Sequence, residues 1–567
     1  MLERVRRLRD AMAREDDAAV ESAVWDLLDS VQSAADLLVA AADAPADVLA
    51  AEPAGRWDGL PVLPALLGDP EGEHATLELG TVLAAAVARA QARRSGPAPL
   101  ETVARLMVPV AAADRLSAER ARTVAERHGT VLPEGAVPGP RIADELATGR
   151  PLYGSYEDQQ LDVWGPRAGK TTARAIPAVL DAPGPVLATS TGRELLLATR
   201  ALRERRGPVR VFDPQQLTGE RAEWWWNPLD TVGDLAAART LAGVFADGAR
   251  PGGARSDELP DPAAEELTAC LLLAAALSGA PVTRVRTWLS RPKDDAALRI
   301  LCEAGEDRAA ESLAAGTQAP DAHRLAVHAA ALAQTACLTD PRAAAWITPG
   351  GGRPRLDLGE LLDAGGTLYA LSRQGADPAG PLTAALTVTA LETAERRAAD
   401  QRLGRLATPL VGVLDDAAAV CRWRRLPDLY AYYGSRGICL LTLLQSWSQG
   451  AEAWGETGMR KLWSAATVRV YGGGVAEPAF LRMLSELTGS HTAARFQVGH
   501  LAQPGAAART VTRNEVQLPL LDVAELAALP AGRVLVLPSG SRPLLARAVP
   551  WWDGPHAADV RSALAGN

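Results

Sequence analysis

Apolar residues repeat with two different periods along this chain, and the change between them predicts its elements. From residue 1 to 127 they recur at helical spacing, interrupted by a Pro/Gly-rich break at 53–72. After a proline- and glycine-rich lead-in at 128–160, short apolar runs alternate with helical stretches, which is typical of an α/β fold with a mostly parallel sheet. The runs predicted to be strands are 161–164, 185–190, 209–214, 365–372, 409–416, 439–444, 467–474 and 533–540.

Between the third and fourth of these runs the pattern is almost entirely helical, apart from an acidic loop at 248–262. Helices inserted between strands of one sheet predict an all-α insertion domain. The length of the chain allows two to four domains. The regions we expect are a helical N-terminal region at 1–127, two parts of one α/β domain at 128–231 and 348–555, the insertion at 232–347, and a C-terminal tail at 556–567.

Composition narrows the function classes. Hydrophobic residues make up 48% of the chain but aromatic residues only 4%, so alanine, leucine and valine dominate the core and favour helices and buried parallel strands. The net charge of −9 excludes a global basic field. Any contact with nucleic acid therefore has to be local, for instance in a channel.

The cysteines and the longest apolar run argue against other classes. The cysteines lie far apart without a C-x-x-C pair, which indicates reduced thiols rather than a disulfide framework or a metal cluster. The longest uncharged run, 267–283, is short and contains Gly279 and Pro281, so a core helix is favoured over a membrane span. The charged, helical start is unlike a signal peptide. We therefore predict a cytoplasmic protein without a transmembrane segment in this chain. The five cysteines are Cys270, Cys302, Cys337, Cys421 and Cys439.

The stretch LDVWGPRAGKTT at 161–172 has the features of a phosphate-binding loop. Glycine lets backbone N–H groups approach a polyphosphate, the ammonium of Lys170 can reach the β- and γ-phosphates, and the Thr171 hydroxyl can bind Mg²⁺. The usual pattern G-x-x-x-x-G-K-[ST] is imperfect here, because Trp164 stands at its first position and a glycine follows one place late. The predicted phosphate-loop residues are Gly165, Pro166, Arg167, Ala168, Gly169, Lys170, Thr171 and Thr172.

A second group of candidates follows the apolar run 410–414, which ends in Asp415 and Asp416. A carboxylate at the carboxyl end of a central parallel strand lies beside the phosphate loop in this architecture. Asp415 is predicted to hold Mg²⁺ with Thr171, and Asp416 to orient or deprotonate the attacking water. The alternative for Asp416 is a cap on the helix predicted at its C-terminal side.

Two further candidates flank the strand predicted at 439–444. Gln445, at its end, could sense a γ-phosphate or be a satisfied amide. Arg436, on a glycine-flanked loop before it, could enter a neighbouring subunit's site and stabilise transition-state charge, or be an ordinary surface arginine. The tryptophans at 224–226 are predicted to anchor a loop, with base stacking as the second interpretation.

The order of these segments resembles a known family. WGPRAGKTT, VFDP with WWWNPL, GVLDDAAAVCRWRRLPDLYAYYGSRGICLLTLLQSWSQ, LWSAATVRVYGGG and the final ALPAGRVLVLPSGSRPLLARAVPWW are similar to the TraG/TraD type IV secretion coupling proteins, especially their actinobacterial branch, within the FtsK/HerA class of motor ATPases. The likeness covers roughly 150–555 and is most specific at 409–475.

The resemblance implies a RecA-like P-loop NTPase domain, an all-α insertion domain, and ATP and Mg²⁺ as ligands. It implies a hexameric ring that delivers DNA, single-stranded or relaxase-bound, or protein to a conjugation or secretion channel. By position, Lys170 and Thr171 match the family's phosphate loop, and Asp415 matches its Mg²⁺ carboxylate. Gln445 and Arg436 match its strand-end polar residue and arginine finger.

Two departures from the family shape the expected function. Asp416 stands where the family usually has glutamate, and the family's N-terminal membrane anchor is replaced by the helical region 1–127. We therefore expect a cytoplasmic protein that a partner recruits to the inner face of the cell membrane, or one that acts in the cytosol. Three functions remain open: a DNA-translocating ATPase, a nucleotide-gated adaptor with weak hydrolysis, and a cytosolic DNA motor unrelated to secretion.

Overall fold

The structure is a computed structural model that describes residues 114–146, 148–250, 261–373, 375, 379–503 and 506–565. The helical prediction for 1–113 and most of the loop at 248–262 lie outside the described residues. Two compact units are present: a larger one of 109–483 and 523–567, and a smaller one whose described residues lie within 484–522. The smaller unit contains a long antiparallel hairpin with fourteen residues in each strand.

The larger unit is built on a sheet of eleven strands within the described residues. In chain order the strands of both units are β1 (Arg141–Glu145), β2 (Pro151–Tyr153), β3 (Gln160–Val163), β4 (Val186–Ser190), β5 (Val209–Phe212), β6 (Thr367–Leu371), β7 (Leu410–Leu414), β8 (Ile438–Leu444), β9 (Val468–Tyr471), β10 (Ser490–Gln503), β11 (Ala506–Pro519), β12 (Arg533–Pro538) and β13 (Leu544–Arg547). The hairpin of the smaller unit is β10–β11.

Strand order in the large sheet is β2-β1-β13-β12-β9-β3-β8-β7-β4-β6-β5. The neighbours from β9 to β5 pair in parallel, whereas β12, β13, β1 and β2 extend the sheet with antiparallel pairs. The central strands β4, β7 and β8 are buried along their whole length, as parallel strands covered on both faces should be. The predicted α/β class with a mostly parallel sheet is confirmed.

All eight predicted strands are present, but β1, β2, β13 and the β10–β11 hairpin were missed. The lead-in at 128–160 was wrongly left without strands. β1 reads RIADE, so it has no apolar run to mark it, yet Asp144 and Glu145 are both buried. Glu145 accepts a hydrogen bond from Thr148, and Asp144 pairs with Arg141 at 2.5 Å. Asp144 also pairs at 3.1 Å with Arg547, which lies on the paired strand from the other end of the chain. Such pairing has no local signature.

Helices cover the sheet and fill the segment between β5 and β6. In chain order they are α1 (Ala118–Arg127), α2 (Ile176–Asp181), α3 (Glu194–Glu204), α4 (Leu235–Gly248), α5 (Pro262–Leu277), α6 (Arg284–Leu289), α7 (Ala296–Glu303), α8 (Asp307–Gln318), α9 (Asp321–Gln334), α10 (Pro341–Ile347), α11 (Leu358–Asp363), α12 (Gly380–Ala399), α13 (Ala417–Val420), α14 (Leu426–Ser435), α15 (Trp447–Ala465), α16 (Pro478–Thr488), α17 (Val523–Ala527) and α18 (Ala557–Ala565).

Helices α4 to α10 occupy the segment 235–347 where the sequence predicts an insertion. The uncharged run at 267–283 forms most of α5, whose residues from Thr268 to Ala275 are all buried, so it is a core helix. None of the described helices is long and apolar enough to cross a membrane.

The tryptophans at 224–226 anchor this segment to the sheet. Trp224 and Trp226 are buried, and both pack against Phe212 at the end of β5, with ring centroids 6.1 and 6.4 Å away. Trp346 of α10 completes the cluster, 5.1 Å from Trp224. The anchor interpretation is therefore confirmed, and these two rings are not free to stack on a base.

The predicted tail is an ordered part of the larger unit. Val560 of α18 is fully buried in the same core as α2 and α3. His556 lies 2.8 Å from Asp181, the last residue of α2, and Asp559 pairs with Arg205 at 3.2 Å. The C-terminal segment therefore packs against α2, the helix that follows the phosphate loop.

Arg174, in the helical turn Thr171–Ala175 that leads into α2, is bonded to the parallel strand β3 and to β1 of the antiparallel extension. Arg174 donates from Nε to Oδ2 of Asp162 on β3 at 2.7 Å, and neither side chain is exposed. Its Nη1 donates to the carbonyls of Arg141 and Ile142 at the start of β1. Burial raises the pKa of Asp162 even though Arg174 favours its charged form. One guanidinium therefore joins the start of the phosphate-loop helix to two strands.

We expect Arg174→Ala to lower the free energy of unfolding by about 3–5 kcal/mol, because it leaves the Asp162 carboxylate buried without a cation. The denaturant midpoint of the full chain measures this. Arg205→Ala, which removes an exposed pair, should leave the midpoint unchanged. Replacing both buried partners with Arg174→Met and Asp162→Leu should recover most of the loss. Equal midpoints for Arg174→Ala and Arg205→Ala would contradict an anchoring role.

Candidate functional site

The phosphate loop connects β3 to the helical turn at 171–175 and lies at the carboxyl edge of the parallel strands. Gly169 has φ +95°, a backbone conformation that residues with a Cβ rarely adopt. This explains why a glycine precedes the lysine. Its carbonyl accepts hydrogen bonds from the N–H of Ala173 at 2.9 Å and the hydroxyl of Thr172 at 3.0 Å. The turn from Thr171 to Ala175 is a π-helix, a form that occurs frequently at functional sites.

The two halves of the predicted site meet at this edge. The ammonium of Lys170 lies 2.7 Å from Oδ1 of Asp416 and 3.5 Å from Oδ1 of Asp415. The hydroxyl of Thr171 donates to Oδ2 of Asp415 at 2.9 Å. All four residues are thus brought into one cluster, although 244 positions separate Thr171 from Asp415 in the chain.

Burial and mutual charge set the protonation of this cluster. Burial opposes ionisation of Asp416, but the charge of Lys170 and hydrogen bonds from its neighbours outweigh it and hold its pKa below the usual range. Burial raises the pKa of Asp415, because its side chain is only 2% exposed. The pKa of Lys170 is raised, since the charges of Asp415 and Asp416 outweigh its own burial. Lys170 and Asp416 therefore form a charged pair at neutral pH.

Two side chains hold the Asp416 carboxylate in addition to Lys170. Gln445, directly after β8, donates from Nε2 to Oδ1 at 2.9 Å. Thr191, directly after β4, donates its hydroxyl to Oδ2 at 2.6 Å. The sequence placed Gln445 at the site but missed Thr191. Its signal was available, because a hydroxyl one residue past a buried strand lies at the same edge as Asp416.

The capping alternative for Asp416 is not what the structure shows. The residue is left-handed, with φ 52° and ψ 43°, and its side chain makes no hydrogen bond to the first turn of α13. Its carbonyl accepts from the N–H groups of Ala419 at 2.8 Å and Val420 at 3.2 Å. The backbone begins the helix, so the carboxylate is left to face Lys170.

Trp164 occupies the first position of the loop pattern as part of the core. The residue is 1% exposed, and its backbone N–H donates a hydrogen bond to the carbonyl of Leu444 on β8 at 2.9 Å. The ring lies over Gly472, where a Cβ would come within 2.0 Å of it. A Cβ on Gly165 would likewise lie 2.0 Å from the carbonyl oxygen of Gly474. The glycines after β9, a second feature that the sequence analysis missed, therefore make room for the tryptophan and the loop.

Arg436 is not brought to this cluster. It precedes β8 whereas Gln445 follows it, and a strand of seven residues separates such positions by roughly 23 Å. The side chain is half-buried rather than exposed, because its guanidinium stacks on Tyr432 at 4.7 Å and bonds to the carbonyl of Gly404 at 2.7 Å. Its action in a neighbouring subunit remains a prediction.

The donor atoms of the cluster fit a magnesium ion. Oδ1 of Asp415 is buried and accepts no hydrogen bond, and Oδ2 lies beside the Thr171 hydroxyl. A carboxylate and a hydroxyl at a phosphate loop are the protein oxygens that Mg²⁺ takes together with substrate phosphates. Thr171 and Asp415 are thus the residues that would hold the ion.

Comparison with known proteins agrees with this architecture. Residues 409–531 match the family model TraG-D_C, described as the TraM recognition site of TraD and TraG. No curated protein matches the sequence.

Among solved structures, the bacterial conjugative coupling protein TrwBdeltaN70 in an unbound form is similar at 16% identity and a TM-score of 0.51, covering 76% of this chain and 92% of that one. Plasmid coupling protein TrwB in complex with ADP and Mg²⁺ gives 16% identity and a TM-score of 0.48, over 70% and 85%. The first of these likenesses shows a common fold. The family model, over residues 409–531, confirms the resemblance to TraG/TraD-type coupling proteins that the sequence motifs indicated.

Proposed function

We propose that this protein is a Mg²⁺-dependent ATPase of the coupling-protein type, which forms a hexameric ring and moves DNA towards a conjugation or secretion channel. The observation that carries the proposal is the convergence of Lys170 and Thr171 with Asp415 and Asp416. A phosphate loop after β3 that faces two carboxylates at the end of β7 supplies the groups that phosphoryl transfer from a nucleotide uses.

In the proposed reaction Lys170 exchanges one partner for another. Its ammonium pairs with Asp416, and the phosphates of a bound nucleotide compete for it. When the phosphates win, Asp416 loses the charge that lowers its pKa and becomes a stronger base for the attacking water. Thr191 and Gln445 keep the carboxylate in place during the exchange. An Mg²⁺ ion on Thr171 and Asp415 would neutralise phosphate charge.

The proposed partners follow from the family match. A segment described as the TraM recognition site of TraD and TraG supports contact with a partner protein through residues 409–531. We propose that this contact brings relaxase-bound DNA to the ring. We propose that the protein works in the cytoplasm or at the inner face of the cell membrane, and that Arg436 acts across the subunits of the ring. With a net charge of −9, DNA contact has to be local, and we propose that it lies in the channel of the ring.

We expect Lys170→Ala to abolish DNA-stimulated ATP hydrolysis, with a loss of about 10²-fold or more, because a charge that stabilises the transition state is removed. Steady-state ATPase assays with and without single-stranded DNA measure this. Lys461→Ala is the matched control, since Lys461 is exposed and pairs only with Asp428 on the described surface. Turnover that DNA does not stimulate would count against the motor.

Asp416→Asn should lower kcat by about 10²–10⁴-fold while changing the Kd for Mg²⁺–ATP by only a few-fold. The amide keeps the shape of the side chain, but it cannot accept a proton and does not attract Lys170. Single-turnover hydrolysis and binding of a fluorescent nucleotide separate the two effects. A large loss of affinity with unchanged kcat would show that Asp416 binds substrate rather than acting on water.

One observation favours the adaptor as a second candidate. Asp416 is held by three donors and is one methylene shorter than the glutamate that the family usually has, so a water has to come close to reach it. An adaptor that recruits protein cargo needs nucleotide binding but little turnover. Asp416→Glu distinguishes the two: a large gain in turnover would identify a slowed enzyme, whereas a drop would show that the aspartate is suited to the existing site.

A further inference from the structure

The segment 421–425 links the Asp416 strand end to the helices between β5 and β6. It follows α13, which is only four residues long. The backbone N–H of Arg424 donates at 3.0 Å to Oδ2 of Asp247, which lies near the end of α4. The side-chain Nε of Arg424 lies 3.6 Å from Oδ1 of the same carboxylate. Its Nη2 also donates to Glu265 on α5. One arginine therefore joins both helices to the segment behind the site.

The acidic partners depend on this arginine. Asp247 has a side chain only 5% exposed, and burial raises its pKa to about 6 even though Arg424 favours the charged form. Removing the guanidinium would leave Asp247 and Glu265 facing each other without the cation between them. The backbone of α4 is shaped for the contact, because a Cβ on Gly243 would lie 2.9 Å from Nη2 of Arg424.

The path from Arg424 to Asp416 is short and rigid. The Asp416 carbonyl accepts from Ala419 and Val420, and Nε of Arg422 donates to the carbonyl of Ala418 at 3.0 Å. Trp423, between the two arginines, is 1% exposed and packed in the core. Hydrogen bonds and core packing therefore connect Arg424 to Asp416, which directly precedes α13 and whose carboxylate faces Lys170.

We propose that Arg424 is a positioning residue, which orients Asp416 according to the placement of α4 and α5. The position of these two helices is thereby coupled to the rate of ATP turnover. This inference rests on the proposed function for its kinetic effect. Its structural effect does not rest on the proposed function, because amide hydrogen exchange around Asp416 can be measured without ATP hydrolysis.

The experiment compares Arg424→Ala with Arg425→Ala in the full chain. Arg425 neighbours Arg424 and contacts α4 only through an exposed hydrogen bond to Thr240 at 3.2 Å, so it is the matched control. For Arg424→Ala we expect kcat to fall about 10-fold or more with the Kd for Mg²⁺–ATP within about three-fold, because the contacts of Arg424 are with Asp247 and Glu265 and not with the phosphate loop. Hydrogen exchange should rise at 415–421. Arg425→Ala should leave both readouts within two-fold of the wild type.

A second variant guards against a general loss of stability. Gly243→Ala keeps every charge but displaces the Arg424 guanidinium, and it should reproduce part of the kcat loss with an unchanged thermal midpoint. The inference would be overturned if Arg424→Ala and Gly243→Ala both kept the wild-type kcat and the wild-type hydrogen exchange at 415–421. It would also be overturned if Arg425→Ala lost as much kcat as Arg424→Ala. A wild-type protein without ATPase activity would refute the proposed function alone, and the exchange data would still decide the role of Arg424.

Discussion

Two carboxylates and one ammonium group share the buried carboxyl edge of the sheet, and neither sign of charge could stay there alone. Removing an ion from water costs several kcal/mol, which only close opposite charges and hydrogen bonds offset. The Lys170 ammonium meets this condition, because it lies 2.7 Å from Asp416 and 3.5 Å from Asp415, and Thr171, Thr191 and Gln445 supply the remaining hydrogen bonds. The order of the central strands is the arrangement that brings these groups together.

Much of the remaining architecture keeps the phosphate loop in register with that cluster. The turn that leads into α2 is bonded to β3 and β1 through Arg174, and the end of α2 pairs with His556, the residue before α18. Trp164 fixes the start of the loop against β8 and the glycines that follow β9. The antiparallel extension, contributed by both ends of the larger unit, therefore acts as a frame for the phosphate loop.

The helices between β5 and β6 are joined to the site from the opposite direction. Their tryptophan anchor sits on the end of β5, while Asp247 and Glu265 hold the segment that follows Asp416. Because the helices are attached at these two places, a change in their position would also move the segment after Asp416 and, with it, the Asp416 carboxylate. In a motor of the proposed kind, cargo and nucleotide would then be linked through a few side chains rather than through the whole sheet.

The sequence by itself determined the fold class, the eight strands with apolar runs and the core helix at 267–283. It also named Lys170, Thr171, Asp415, Asp416 and Gln445, which the structure brings into one cluster. These features have local signatures: an apolar run, a glycine before a lysine, a carboxylate at a strand end. Tertiary structure alone decided that Thr191 completes the cluster, that β1 and β2 exist, that Arg436 lies far from Lys170, and that Trp164 is core. Each of these depends on a partner distant in the chain, such as Arg547 beside Asp144 or Gly472 beneath Trp164, and a contact between distant residues leaves no periodic pattern in either segment.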